Sequence, residues 1–175
     1  MAADQSEFVA LLDRHAPILR KVAATYAWNA ADRRDLMQEM ALQLWKAYPR
    51  YDPARPFSTW MYRVALNVGI SFLRGAGNPV RRSISLEDAG VNPVDSAARP
   101  DDETNGRAER LHQVIAQLGP LDRALLLLYL DEQSHREIAD VLGISETNVG
   151  TKINRLKLRL RQDLTSGAVP RTGLR

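Results

Sequence analysis

The run SHREIADVLGISETNVGTKINRLKLRL, from Ser134 to Leu160, decides how the chain reads. Ser134 and Glu137 have the spacing of a capping box, in which the hydroxyl accepts from an amide three residues on and the glutamate reaches back to the cap. Ile138 and Leu142 then fall on one side of a short helix. Ala139 is small enough to let a second helix come close, and Gly143 can take the left-handed backbone that a tight turn requires. Ile144 is placed to plug the corner. Ser145 caps a second helix whose inner face carries Val149, Ile153, Leu156 and Leu160. Two short helices joined in this way make a helix-turn-helix, whose second helix lies in the major groove of DNA.

On that reading Ser145, Glu146, Thr147, Asn148, Gly150, Thr151, Asn154 and Arg155 are candidates to meet base edges or phosphates, with Gly150 allowing close approach of the DNA. Lys152, Lys157, Arg159 and Arg161 would follow the backbone. A plain helical hairpin with a solvated basic face is the alternative. The agreement of cap, alanine, glycine and apolar positions favours the DNA-binding motif.

Outward from this run, hydrophobic spacing predicts helix almost everywhere. Gly119-Pro120 precedes a leucine-rich helix from Leu121 to Leu130, and another is expected from Ala108 to Leu118 with Leu111, Val114, Ile115 and Leu118 apolar. Leu125 to Leu128 alone would suit a buried strand, but the flanks favour a helix packed on most sides. In the N-terminal half, Phe8, Leu12, Leu19, Val22 and Tyr26 share one face of a segment that Pro17 kinks or breaks. A second helix is expected from Asp32 as N-cap, carrying Leu36, Met40, Leu44 and Tyr48 inward until Pro49. Pro49 to Pro56 holds three prolines and reads as a loop. Ser58 is expected to cap a third helix through Trp60, Met61, Ala65, Val68 and Phe72 to Gly75. From Ala76 to about Asn105 the periodicity vanishes while Gly, Pro, Asn, Ser and acids accumulate, which predicts a flexible linker.

The charges are sorted along the 175 residues rather than excessive in sum, at +3 overall. Seven acids (Glu87, Asp88, Asp95, Asp101, Asp102, Glu103, Glu109) stand against Arg99 and Arg107 in the linker region, whereas Lys152, Arg155, Lys157, Arg159 and Arg161 stand against Glu146 in the last helix. With no cysteine, disulfides and thiolate metal sites are excluded and a reducing cytosol is the expected compartment. No signal peptide or apolar run of about 18 residues is present, so no membrane insertion is expected. His15, His112 and His135 are scattered without metal-ligand spacing, and no phosphate-cradling loop or nucleophile motif occurs, so neither an enzyme nor a cofactor is expected. Two units of this size would bury thin cores and lean on a partner.

The third helix carries a second stripe, Trp60, Arg63, Asn67, Ser71 and Arg74, at helical spacing. Such a set suits stacking on an exposed base and hydrogen bonding to its edge, although spacing alone also fits an amphipathic helix with Trp60 buried. Gln38, Glu39, Gln43 and Trp45 on the second helix suit either a partner surface or a solvated face.

These stretches resemble a known family. Asp35-Leu36-Met37-Gln38-Glu39, Leu44-Trp45-Lys46-Ala47, Tyr51-Asp52-Pro53, and Phe57 through Ala65 with Asn67 resemble region 2 of the sigma-70 family, specifically its extracytoplasmic-function (ECF) group. Leu118 through Arg123, the leucine-rich helix, and Ser134 through Arg161 resemble region 4. The likeness spans about residues 6–164. It implies an all-α protein of two small helical domains, region 2 over 1–75 and region 4 over 107–165, joined by a flexible acidic linker over 76–106 and followed by a disordered tail over 166–175.

The resemblance further implies a cytoplasmic RNA polymerase sigma factor that directs promoter recognition, melting and initiation. Asp35, Gln38, Glu39, Gln43 and Trp45 would bind core RNA polymerase. Arg55, Phe57, Trp60, Arg63, Asn67, Ser71 and Arg74 would engage the minus-10 element and capture a flipped base. Ser145, Glu146, Thr147, Asn148, Thr151, Lys152, Asn154, Arg155 and Arg159 would read the minus-35 element. The acidic linker would thread through channels otherwise used by RNA, and an anti-sigma factor is expected as a further partner. The chain departs from many relatives in having Arg33 and Arg34 ahead of Asp35, where acids are usual, so the likeness does not carry over a promoter sequence. The rival function is a helix-turn-helix regulator that binds a palindromic operator as a dimer.

Overall fold

The structure, a computed structural model, describes the backbone of residues 2–76 and 113–165 and the side chains of 5–75 and 113–164. The expected linker apart from Ala76, the start of the helix predicted from Ala108, and the tail lie outside the described residues. Among those described, the regular elements are helical, as an all-α reading requires: α1 (Ala2–Arg14), α2 (Ala16–Tyr26), α3 (Ala30–Ala47), a 3-10 turn (Tyr48–Arg50), α4 (Phe57–Ala76), α5 (Pro120–Leu130), α6 (His135–Leu142) and α7 (Glu146–Thr165).

Local chemistry sets the boundaries, and in places it differs from the sequence reading. Pro17 separates α1 from α2 by sitting in the first turn of α2, where a missing N–H costs nothing. The cap of α3 is Asn29 rather than Asp32. Asn29 has the extended backbone of a cap, its Oδ1 accepts from the Asp32 amide at 2.7 Å, and its Nδ2 donates to the Asp32 carboxylate at 2.8 Å. Asp32 instead places negative charge in the first turn, where the helix dipole favours it. Pro49 ends α3 by tightening the chain into the 3-10 turn. The helix α4 begins at Phe57, ahead of Ser58, because the Pro56 carbonyl already accepts the Trp60 amide at 3.2 Å.

Helices α2, α3 and α4 pack around Leu19, Val22, Tyr26, Leu36, Met40, Leu44, Met61 and Ala65. Of the residues expected to point inward on α4, Trp60, Val68 and Phe72 are only half-buried, while Tyr62 and Leu66 are fully buried. The difference arises because α4 is packed from two sides, by α2 and α3 on one and by α5 and α6 on the other. Gly69 lets α2 and α4 meet: a Cβ built there would stand 2.6 Å from the Tyr26 ring.

The second group buries Ala124, Leu125, Leu128, Ile138, Val141, Val149, Ile153 and Leu156, and its core is continuous with that of the first. Arg123, only 6% exposed, joins them. Its guanidinium donates to the Leu118 and Ala116 carbonyls at 3.1 and 2.6 Å and to the Thr25 carbonyl at 3.5 Å, and lies 5.7 Å over the Trp28 ring. Burial pushes its pKa down, but a guanidinium remains charged at any physiological pH.

In the helix-turn-helix, the Glu137 amide donates to Ser134 Oγ at 3.2 Å and the Ser134 amide donates to the Glu137 carboxylate at 2.8 Å, completing the capping box. Gly143 closes α6 at φ 69°, and its amide and that of Ile144 both donate to the Ala139 carbonyl. Ser145 Oγ accepts the Asn148 amide at 3.2 Å to start α7. The second helix is thereby held at its turn by backbone as well as by side chains.

Two predictions follow from this packing. Gly69→Ala gains up to about 1 kcal/mol of helix propensity but forces a methyl into the Tyr26 ring, an overpacking cost of about 1–3 kcal/mol. The urea midpoint should fall with an unchanged slope; an equal or higher midpoint would contradict the close approach. Ser134→Ala should cost about 1 kcal/mol. Hydrogen bonds from Ser134 hold the Glu137 carboxyl below its usual range, so this stabilisation is present above the ordinary glutamate pKa of about 4.3 and is lost as pH falls through the lower folded value. Acid titration of stability should therefore be shallower in Ser134→Ala than in the parent, and identical profiles would remove the box from the stability of the motif.

Candidate nucleic-acid and partner interfaces

Burial of Val149, Ile153 and Leu156 against α5 and α6 leaves the opposite side of α7 to solvent. Ser145, Glu146, Thr147, Asn148, Thr151, Asn154, Arg155 and Arg159 are all exposed there, and Lys152 is half-buried. Thr151 Oγ1 donates to the Thr147 carbonyl at 3.0 Å. Lys152, Arg155, Leu156 and Arg159 line, with Asp122 of α5, a cleft of about 240 Å³. Three cations on one flank of the second helix make a surface suited to phosphate. Lys157 is diverted from that flank, its ammonium lying 4.3 Å over the Tyr129 ring. A Cβ built on Gly150 would make ordinary contact with the His135 ring of α6 at 3.7 Å.

On α4 the residues Arg63, Asn67, Ser71 and Arg74 form one exposed stripe. At its N-terminal end Trp60 is half-buried, its ring 5.0, 5.2 and 6.4 Å from those of Tyr51, Phe57 and Tyr48. Phe57 does not face outward with the stripe: at 6% exposure it is the inner member of this aromatic cluster, against His15 at 5.4 Å. Burial, and then the neighbouring charge of Arg14, hold the His15 imidazole below its ordinary pKa. The loop ahead of α4 is fixed by its own hydrogen bonds, since Tyr51 Oη donates to the Arg55 carbonyl at 2.7 Å and the Ala54 amide donates to the Asp52 carboxylate at 3.0 Å. Arg55 is exposed on that rigid loop. Tyr48, directly before Pro49, and Tyr51, inside the proline-rich stretch, complete the aromatic cluster around Trp60.

A third face lies on α3. Asp35, Gln38 and Glu39 are exposed, and Gln43 is half-buried and donates to the Glu39 carboxylate at 2.7 Å. Trp45 is 43% exposed, its ring edge-to-face with that of Phe8 at 5.1 Å, and Leu42 on the same helix is 45% exposed. Leu42 falls three or four residues from Gln38, Glu39 and Trp45, a spacing visible in the sequence but not singled out there. An apolar pair rimmed by polar groups is the composition of a protein-binding patch. Among the described residues no three His, Asp or Glu side chains are grouped to hold a metal ion, and no helix is long and apolar enough to cross a membrane.

Comparison with known proteins identifies the family. Residues 11–78 match the family model of sigma-70 region 2, and residues 108–160 match that of sigma-70 region 4. The chain is 32% identical to the ECF RNA polymerase sigma factor SigL of Mycobacterium tuberculosis, with 97% of this chain and 96% of SigL covered. It is 30% identical to the RNA polymerase sigma factor CnrH of Cupriavidus metallidurans, with 91% and 87% covered. Among solved structures, CnrH in complex with the cytosolic domain of CnrY superposes with a TM-score of 0.68 at 23% identity, over 94% of this chain and 91% of that one. The sigma factor RpoE of Bartonella quintana, in complex with the anti-sigma factor NepR, gives 0.69 at 18% identity, over 93% and 99%. Both share this fold. The chain therefore belongs to the ECF group of the sigma-70 family, the sigma factors that give RNA polymerase its promoter recognition and begin transcription.

Proposed function

We propose that the three exposed faces divide that work. The α3 face of Asp35, Gln38, Glu39, Leu42 and Trp45, with Gln43 bracing Glu39, docks on core RNA polymerase. Arg55, Trp60 and the stripe Arg63, Asn67, Ser71 and Arg74 engage the minus-10 element. The outer side of α7, from Ser145 to Arg159, reads the minus-35 element, with Asn148, Thr151 and Asn154 at base edges and Lys152, Arg155 and Arg159 on phosphates. The observation that carries this division is the exposure of two polar and basic helical stripes, on α4 and α7, that the core does not use. Phe57 supports Trp60 from beneath and does not itself meet DNA.

Energetics assigns opening of the promoter to the complex rather than to this chain alone. Unstacking costs about 1.4 kcal/mol per base-pair step, so a handful of steps costs roughly 5–10 kcal/mol. One or two bases held by stacking return about 1–3 kcal/mol each. The polymerase supplies the remainder, together with the chemistry of RNA synthesis, and the site of action is the cytoplasm. By analogy with CnrH and RpoE, which are seen with CnrY and NepR, an anti-sigma protein holds this chain until it is needed. The family likeness in both halves favours a monomer acting inside the polymerase over a dimeric operator-binding regulator.

Run-off transcription with core polymerase on a pool of genomic promoter fragments tests the proposal. Start-site selection should appear only when the chain is added, and its absence would overturn the function. In the same assay Asn67→Ala should reduce promoter melting at least tenfold while leaving polymerase binding intact, and Arg155→Ala should weaken minus-35 binding and flatten its salt dependence by about one unit of slope. Equal loss of melting and polymerase binding by Asn67→Ala, or unchanged minus-35 affinity of Arg155→Ala, would remove that residue from its contact.

A further inference from the structure

A cleft of about 180 Å³ lies where α2 meets α5 and shares no residue with the three faces assigned above. Thr25 and Trp28 line it from the α2 side, Leu126, Leu127 and Leu130 from α5, and Arg123 is its one charged lining group. Trp28 at 43% and Leu130 at 67% exposure keep apolar surface in water there, whereas Arg123 is nearly enclosed. The Arg123 guanidinium donates only to neutral groups, the carbonyls of Leu118, Ala116 and Thr25, and lies over the Trp28 ring. Among the described residues no carboxylate pairs with it. Asp131, which follows Leu130 in the chain, is spent on the Lys21 ammonium and the Tyr62 hydroxyl at the same seam.

A buried cation is as a rule matched by an anion, because carbonyl dipoles replace its hydration only in part. A guanidinium carries five N–H donors, and the carbonyls take one each from Nε, Nη1 and Nη2. One donor is left on each terminal nitrogen, a pair that a carboxylate can accept together. The walls beyond the guanidinium are apolar and suit an alkyl chain rather than a sugar or a nucleotide. Size narrows the class further: sites for drug-sized ligands run to roughly 300–1,000 Å³, and a protein partner needs about 800 Å² on each side. A small acid with a short apolar tail fits the cleft better than either.

We infer that this cleft binds a free medium-chain carboxylic acid, its carboxylate on the Arg123 guanidinium and its alkyl chain along Leu126, Leu127, Leu130 and Trp28. Titration of the full-length protein with butanoate, hexanoate and octanoate, followed by calorimetry and by the NMR signals of the Thr25 amide and the Trp28 indole, tests the site. Binding should saturate at one acid per chain. Affinity should rise about fourfold for each added methylene, the worth of a buried CH₂. 1-Octanol keeps the tail and loses the charge, and it should bind about tenfold more weakly than octanoate. That comparison reports on Arg123 without disturbing its carbonyl contacts. Leu130 is exposed enough to change without loss of the fold. Leu130→Gln removes apolar contact alone, and Leu130→Glu adds a like charge, so octanoate should bind Leu130→Glu about two- to fivefold more weakly than Leu130→Gln. Absence of saturable binding by all three acids, an affinity that ignores chain length, equal affinity for 1-octanol, equal affinity of the two Leu130 variants, or shifts centred on the Trp45 and Trp60 indoles would each overturn the site.

Discussion

The buried ring of Tyr26 is the contact on which the rest of the molecule depends. It lies flat enough against Gly69 that no side chain fits between α2 and α4, which fixes the spacing of these two helices and with it the direction in which the α4 stripe faces. Its hydroxyl is satisfied by the Pro120 carbonyl at the start of α5, so the same residue anchors the second group of helices to the first. Burial pushes the phenol far above its ordinary pKa. The hydroxyl therefore remains a proton donor throughout the physiological range, and the anchor does not titrate there. A buried hydroxyl left without its acceptor would be costly, which gives the contact its directionality.

From that anchor the functional surfaces follow by subtraction. Each helix spends its apolar side on a core shared by both groups, and what remains outward on α3, α4 and α7 differs in kind. The α3 face keeps a leucine and a tryptophan among polar groups and suits a protein partner. The α4 stripe combines arginines with an asparagine beside an aromatic cluster whose inner members stiffen the half-exposed Trp60. The α7 face presents short polar side chains near its first turns and cations farther along, the distribution that separates base reading from backbone positioning. Rigidity comes from backbone devices at the edges of these faces: the capping box at Ser134, the left-handed Gly143, and the hydrogen-bonded loop before α4.

Much of this was legible in the sequence, because helix ends and helical periodicity are local. The capping box, Gly143, Ser145 and the inner positions of α7 were read correctly from spacing alone, since each depends on residues no more than four apart. What escaped depended on distant contacts. Phe57 carries the right chemistry for a nucleic-acid stripe, but its burial is decided by Tyr51 and His15 from other elements. Asn29 outcompeted Asp32 as a cap because both of its side-chain ends found partners, a matter of geometry that composition does not rank. The seam through Asp131, Tyr62, Lys21 and Arg123 joins residues about 70 to 110 positions apart, and no periodicity announces it.

The central claim is that α4 and α7 of one chain grip two separate stretches of one promoter. Photo-crosslinkers placed singly at Asn67 and at Asn148, in open complexes formed with core polymerase on an end-labelled promoter, test it most directly. Crosslinks from Asn67 should map near the melted start-proximal element and those from Asn148 about two helical turns upstream. Mapping of both positions to one element, or a failure of either to reach DNA in a complex that still initiates, would contradict it.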